Sequence, residues 1–478
     1  MSQKDYHLVF VGLTYPARGY RASRCFIADP VTQGILWLSD VVLKTMQLAA
    51  DGNHTYNDIV KSIAEQYKLL YGEAEVIALE SLFELRKNGL VTFSQESLSK
   101  QSFIFSDSIN VGRALLSLTH RCNFNCIHCL QGEKKDFCEE MSTKEWIDII
   151  GQLSDYGVSV IFFTGGEPLL RKDVVDILQA AGEYAFPMRL YTNGLLINDN
   201  LVDSLRSFNT LTLQISFHGI SPATFDSFVG VKGAFDRVVQ SIKSLTDAGV
   251  RVAVATCFRD ELIPHMEEVP ALLEKLGVVE WVPSLIMPMG CAYENWAKLR
   301  LASQNMRIFI DTLLRLMSIY KGGNLQVSAP FDISLLQGNT TTWENSEISF
   351  GCDLYGQYIN VEPDGSVTPC DRNTYHKLGS LRQESLKQIM SKHQVIQAHK
   401  DDIQRMLKEI GALDRCDKCK YQDLCGRGCP GILLQGKNLG EEYDDPIVCR
   451  MFNEGFDLLL KYSTPFAREQ LLETLRKV

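Results

Sequence analysis

Three cysteines, Cys122, Cys126 and Cys129, stand within eight residues of the stretch "SLTHRCNFNCIHCLQGE". A disulfide takes two thiols and a structural zinc site takes four ligands, so three suits neither. In a cubane of four irons each iron needs one outer ligand. Three thiolates leave one iron open, and an open position marks a metal site that binds a substrate or cofactor. Further along, "GGEP" supplies Gly165, Gly166 and Glu167. Glu167 is a carboxylate suited to an ammonium group, and the two glycines let a ligand approach the backbone. Asn193 and Ser216 are placed to hydrogen-bond a carboxylate or hydroxyls.

Seven more cysteines gather late in the chain: Cys352, Cys370, Cys416, Cys419, Cys425, Cys429 and Cys449. The pairs within this set would also suit structural zinc. Cys25, Cys138 and Cys257 are scattered singly and read as buried, inert thiols. The N-terminal "MSQKDYHLVF" lacks the basic segment and apolar run of a signal peptide, and no apolar stretch approaches the ~18 residues of a span. A cytoplasmic protein is therefore expected, with no membrane contact and with its 14 cysteines reduced. A net charge of −10 over 478 residues speaks against broad nucleic-acid binding.

The elements that must position these groups follow from periodicity. Residues 1–100 show two short strands, "CFIADP" and "GILWLS", three helical segments and the closing strand "LVTF", a winged-helix-like order. A polar, Ser-rich stretch from 95 to 110 reads as a linker. Strands and helices then alternate six times, the pattern of a parallel sheet with helical crossovers. The first crossover helix is opened by a capping box, Ser142 with Glu145. Chemistry in such sheets sits at the C-terminal strand ends. Cys122 follows the first strand, Gly165–Glu167 the second, Asn193 the third, and Ser216 ends the fourth. Pro363-Asp364-Gly365 marks a hairpin in the loop-rich region beyond 350, and the C-terminal end is helical.

Cys-x3-Cys-x2-Cys after the first strand, with "GGEP" after the second, resembles the radical S-adenosylmethionine (radical SAM) superfamily over about residues 113–300. The resemblance implies that Cys122, Cys126 and Cys129 hold a [4Fe–4S] cluster whose open iron chelates S-adenosylmethionine. One-electron cleavage would then give a 5′-deoxyadenosyl radical that abstracts hydrogen from substrate. It also implies that Gly165, Gly166 and Glu167 contact the cofactor amine. Asn193, Gln214 and Ser216 would meet its ribose or carboxylate, and His128 would pack on adenine. The later cysteines, with "PDGSVTPC" and "CGRGCP", are similar to the SPASM extension. That likeness implies two auxiliary [4Fe–4S] clusters, three clusters in all. Cys416, Cys419, Cys425 and Cys449 would ligate the distal one, and Cys352, Cys370 and Cys429 the proximal one, which is short of a fourth ligand. Cys291 stands where many relatives have arginine and is a candidate ligand or active-site thiol. Asp371, next to Cys370, is a candidate proton acceptor.

The fold class expected is α/β: a partial (β/α)6 TIM-like barrel, with a small winged-helix-like N-terminal domain and a loop-rich C-terminal SPASM domain. The boundaries are 1–100, resembling a RiPP recognition element, 111–310 for the barrel, 311–350 as a bridge, 351–455 for SPASM and 456–478 as a C-terminal helix. Such an element binds the leader of a precursor peptide as an added strand. The function these resemblances imply is a peptide maturase that forms an intramolecular crosslink, with a thioether from cysteine to carbon placed first. Carbon–carbon cyclophane-type closure, epimerisation, oxidative decarboxylation and formylglycine-type sulfatase maturation are the alternatives. A precursor peptide and a reductant such as flavodoxin or ferredoxin are the expected partners.

Overall fold

The computed structural model describes residues 7–10, 20–21, 24–28, 35–38, 44–45, 48, 54–87, 91–94, 113–132, 139–158, 160–184, 186–328, 358–374, 376–392, 405, 408–409, 416–421, 429, 431–432, 447–462, 468 and 472. The 95–110 linker, Cys138, Cys352 and Cys425 lie outside them. The chain divides into two compact units. One comprises Met1–Ala114, Ile147–Ile161 and Leu178–Met188; the other comprises Leu115–Trp146, Phe162–Ile177 and Arg189–Val478.

In the first unit β1 (His7–Phe10) pairs antiparallel with β5 (Val91–Ser94). The two strands expected from "CFIADP" and "GILWLS" are β3 (Arg24–Ala28) and β4 (Ile35–Leu38). With β2 (Tyr20–Arg21) they form a three-stranded antiparallel sheet. Helix Tyr56–Tyr67 begins at a capping box in which the Thr55 N–H donates to Asp58 and the Asp58 N–H donates back to Thr55. It buries Tyr56, Ile59, Val60 and Ile63, the i, i+3, i+4, i+7 stripe of a helix packed on one face. Helix Tyr71–Lys87 buries Ala74, Ala78 and Leu82.

The chemistry-bearing strands run in one ten-stranded sheet. Its strands in chain order are β6 (Arg113–Ser117), β7 (Val160–Thr164), β8 (Met188–Thr192), β9 (Leu211–Ser216), β10 (Arg251–Phe258), β11 (Glu280–Leu285), β12 (Gln326–Val327), β13 (Tyr358–Val361), β14 (Ser366–Thr368) and β15 (Gly379–Ser380). The order across the sheet is β12-β11-β10-β9-β8-β7-β6-β13-β14-β15, so the six strands expected from the sequence lie side by side in chain order. β9, β10, β11 and β12 pair parallel. Pairing puts Gln214, Ala253 and Glu280 in one row, Ser216, Ala255 and Val282 in the next, and Cys257 beside Ser284 above them. The opposite face carries Leu213, Ile215, Val252, Val254 and Trp281, all buried. Phe258 packs edge-on to Trp281 at 6.0 Å and against Phe309 at 5.4 Å. Each such side chain contributes about 1.5–3 kcal/mol when fully buried.

The hairpin expected at Pro363-Asp364-Gly365 joins β13 to β14. Gly365 takes φ +84°, and the Asp364 carboxylate accepts the Ser366 N–H at 2.9 Å. The C-terminal helix runs Ile447–Tyr462, so Cys449 lies inside it. Among the described residues no helix is long and apolar enough to cross a membrane.

Candidate active site

The cysteine loop leaves β6 at Leu118, whose N–H donates to Thr164 at the end of β7 (2.8 Å). Backbone bonds then fasten the loop on three sides. The carbonyls of Thr119 and Arg121 accept the N–H groups of Gly166 (2.6 Å) and Glu167 (2.8 Å). The N–H groups of Asn125 and Ile127 donate to Val229 and Phe228, at the end of helix Pro222–Val229. The Cys129 carbonyl accepts the Cys291 N–H at 2.9 Å, beyond the end of β11. The side chain of His120 meets Glu362 at 2.8 Å, tying the same loop to the β13–β14 hairpin. Cys122 is exposed, while Cys126 and Cys129 are half-buried.

Gly165, Gly166 and Glu167 also make close contacts within the protein. A Cβ on Gly165 would stand 2.2 Å from the Thr119 oxygen, and one on Gly166 would stand 2.1 Å from the Arg121 oxygen. The close backbone approach these glycines permit is thus to the cysteine loop itself. Glu167, expected to meet an ammonium group, is 0% exposed. Its oxygens accept from the Leu169 N–H (3.0 Å), the Thr192 hydroxyl (2.8 Å) and the Asn193 N–H (2.7 Å). The carboxylate is a tie between the second and third strand ends. Asn193 in turn donates from Nδ2 to Oδ1 of Asn123 at 2.7 Å.

Gln214 also has a partner within the sheet. Its Oε1 accepts from Arg189 (2.7 Å), whose other nitrogen pairs with Glu280 at 2.5 Å. That places it one row below Ser216, in a buried polar layer. His128, expected against adenine, stacks on Phe228 at 4.2 Å and 17°, and the Arg259 guanidinium carbon lies 4.2 Å from the same ring. His218 meets His128 edge-on at 4.7 Å. Burial, and then Arg259, bring His128 down to about 3, and burial holds His218 well below its ordinary value, so both rings are neutral near pH 7.

Sequence reasoning passed over His218, Arg259 and Asn123, although "SFHG" after Ser216 and the asparagine after Cys122 were visible signals. It also read Cys257 as inert. In the structure the Cys257 sulfur and nitrogens of His128 and His218 lie within 4.8 Å of one another. His218 Nδ1 accepts the Cys257 N–H at 3.1 Å, which puts its proton on Nε2.

In the second cysteine set, Cys370 is buried and Cys429 half-buried. Their segments meet at the backbone, since a Cβ on Gly431 would stand 2.4 Å from the Arg372 oxygen. Asp371 has its carboxyl pushed up by burial, opposed by Arg372. Cys416 and Cys419 share a turn, and Tyr421 packs on Phe452 (5.7 Å) and Phe456 (5.0 Å) of the helix that carries Cys449. Cys429, Met289, Ile432 and Leu130, the residue after Cys129, form one apolar cluster.

The thiols suit a bound metal cluster. Burial pushes the Cys126 thiol up, and the neighbouring Cys129, Cys122, Cys257 and Cys291 push it further. Metal binding takes the place of that proton and relieves the crowding. Buried donors beside both sets, Asn123 Nδ2 and Arg372 Nε, have no partner among the described residues, as expected where a sulfur-rich acceptor sits. Residues 116–273 match the model of the radical SAM superfamily, and residues 352–420 match the iron–sulfur cluster-binding SPASM domain. The chain carries a radical SAM domain and a SPASM domain. These domains imply S-adenosylmethionine and [4Fe–4S] chemistry.

Among radical SAM relatives, the chain is 28% identical over 287 residues to the sporulation killing factor maturation protein SkfB of Bacillus subtilis, covering 59% of this chain and 65% of SkfB. It is 26% identical over 342 residues to an AdoMet-dependent heme synthase of Oleidesulfovibrio alaskensis, covering 68% and 84%. The structure of Streptococcus suis SuiB bound to precursor peptide SuiA aligns at TM-score 0.53 and 14% identity, over 82% of this chain and 88% of that one. That likeness is one of fold.

Proposed function

We propose that this protein is a radical SAM peptide maturase that abstracts hydrogen from a ribosomally made precursor and closes a cysteine-to-carbon thioether. The observation that carries the radical chemistry is the three-thiol loop fastened to the end of β7, to the end of helix Pro222–Val229 and to the chain beyond β11. The relative SkfB and the peptide-bound SuiB support a peptide substrate. When bound, the cluster and S-adenosylmethionine supply one-electron cleavage to a hydrogen-abstracting 5′-deoxyadenosyl radical. The chain's own residues then have distinct tasks. Cys122, Cys126 and Cys129 hold the cluster, and Asn193 fixes the loop through Asn123. Ser216 and the small Ala255 leave room for cofactor and peptide on the same sheet face.

Cys352, Cys370 and Cys429 are assigned to a proximal auxiliary cluster, and Cys416, Cys419, Cys425 and Cys449 to a distal one, making three clusters. A three-thiol proximal set leaves an iron able to take a substrate thiolate, which favours the thioether over other links. Asp371, whose carboxyl burial pushes up, is the proposed proton acceptor. Cys291 is a further active-site thiol, its N–H already bound to Cys129. The β2–β3–β4 sheet is the proposed recognition element, taking the leader as a fourth strand. A flavodoxin or ferredoxin supplies electrons.

Co-expression with a candidate precursor peptide, followed by high-resolution mass spectrometry with and without thiol alkylation, tests the reading. A loss of two hydrogens per link with cysteines protected from alkylation is expected. The same loss with every cysteine alkylated would move the chemistry to carbon–carbon closure. An unchanged peptide mass would contradict the proposal.

A further inference from the structure

The amide of Asn123 is oriented by its neighbours. The Leu195 N–H, which can only donate, bonds to Asn193 Oδ1 at 3.0 Å. The other end of the Asn193 amide is therefore Nδ2, and it donates to Asn123 at 2.7 Å. That contact requires Asn123 to present Oδ1, so Asn123 Nδ2 is turned away as a donor. This Nδ2 is buried and has no hydrogen-bond partner among the described residues. Asn193 is itself fixed, because its N–H donates to the fully buried Glu167 carboxylate. A rigid chain of bonds thus runs from Glu167 through Asn193 to Asn123 and ends on an unanswered N–H next to Cys122.

Donors in this chain are repeatedly aimed at cysteine sulfur. The Phe124 N–H donates to Cys122 Sγ at 3.5 Å, and the Tyr421 N–H donates to Cys419 Sγ at 3.4 Å. Asn453 Nδ2 donates to Cys449 Sγ at 3.2 Å, the same side-chain group on the same kind of atom. We infer that Asn123 Nδ2 donates a hydrogen bond to a sulfur of the iron–sulfur cluster held by Cys122, Cys126 and Cys129. The inference rests on the radical SAM reading of this loop. Hydrogen bonds to cluster sulfur stabilise the more negative, reduced state and so raise the reduction potential. Asn123 therefore tunes the cluster, and the Glu167–Asn193 chain positions it.

The test uses full-length reconstituted protein exchanged into deuterium oxide, with Asn123→Leu and Asn123→Asp variants. The protein with Cys122, Cys126 and Cys129 all replaced by alanine supplies the auxiliary-only background. Pulsed electron–nuclear double resonance of the reduced N-terminal cluster should show an exchangeable deuteron coupling that both variants lack. Asp keeps the size and the oxygen that accepts from Asn193, so the comparison survives if the leucine variant fails to assemble its cluster. An electron-paramagnetic-resonance redox titration should place the leucine variant at a lower potential than the parent. A coupling and potential unchanged in both variants would overturn the inference. Weakened S-adenosylmethionine binding with coupling and potential unchanged would overturn it too, by placing the donor on that cofactor. Absence of any cluster lost with the three cysteines would remove the underlying reading and the inference together.

Discussion

The N–H of Cys291 donates to the carbonyl of Cys129 at 2.9 Å, fastening the chain beyond β11 onto the third cysteine of the loop. Gly290 makes the contact possible. Its φ is +55°, and a Cβ there would stand 2.3 Å from the Cys129 oxygen, 2.4 Å from the Leu130 oxygen and 2.7 Å from the Gly132 nitrogen. Three backbone atoms cannot yield as a flexible side chain can. Gly290→Ala is therefore expected to displace the Cys129 turn, on top of a backbone strain of about 1–3 kcal/mol. Iron and sulfide analysis after reconstitution should show loss of one cluster's share with the auxiliary iron kept. A full iron complement in this variant would contradict the fastening described.

Glu167→Gln separates the tie seen in the structure from the amine contact first expected. The amide would set its own N–H groups against three donors, leaving at least one buried donor unanswered. Such a group costs about 1–3 kcal/mol. Denaturant unfolding should show a stability loss of that size, along with loosened cluster binding. Unchanged stability with lost S-adenosylmethionine affinity would favour the amine role over the tie.

Gln214→Met removes the acceptor of Arg189 Nη1 from the row below Ser216. Arg189 keeps its ion pair with Glu280, so the expected loss is about 1–3 kcal/mol of stability. Isothermal titration of the reconstituted protein should give an S-adenosylmethionine affinity within about twofold of the parent, a difference under roughly 0.4 kcal/mol. A tenfold weaker affinity would bring Gln214 back to the cofactor.

Replacement of Cys122, Cys126 and Cys129 together by alanine should abolish S-adenosylmethionine cleavage while leaving the auxiliary iron in place. The two sets occupy separate stretches, and Tyr421 packing on Phe452 and Phe456 owes nothing to the N-terminal loop. Chromatographic assay of deoxyadenosine, with iron counted on the same sample, checks both halves. Cleavage persisting in the triple variant would contradict the assignment.

Local signals carried much of this fold into view. The six strands were legible because each is a short, mostly apolar run between helical segments, and the Ser142–Glu145 capping box forms as its spacing implies. The Pro363-Asp364-Gly365 turn was legible for a similar reason. What lay beyond reach was set by partners distant in the chain. Gly165 and Gly166 are required by carbonyls some forty-five residues earlier, and nothing in "GGEP" says which atoms approach. Glu167 turns inward because Thr192 and Asn193 offer donors at the next strand end. Gln214 is claimed by Arg189, a pairing across two strands. The placing of β13–β15 beyond β6 in the same sheet likewise has no local sequence cue.

The central claim is that a radical generated at the cysteine loop removes hydrogen from a peptide. Its most direct test incubates reduced, reconstituted protein with S-adenosylmethionine and a precursor peptide deuterated at carbon, then weighs the deoxyadenosine formed. The account predicts deoxyadenosine one mass unit heavier, formed alongside a peptide lighter by the abstracted deuterium and one further hydrogen. Deoxyadenosine formed without deuterium, at a rate indifferent to the peptide, would contradict it.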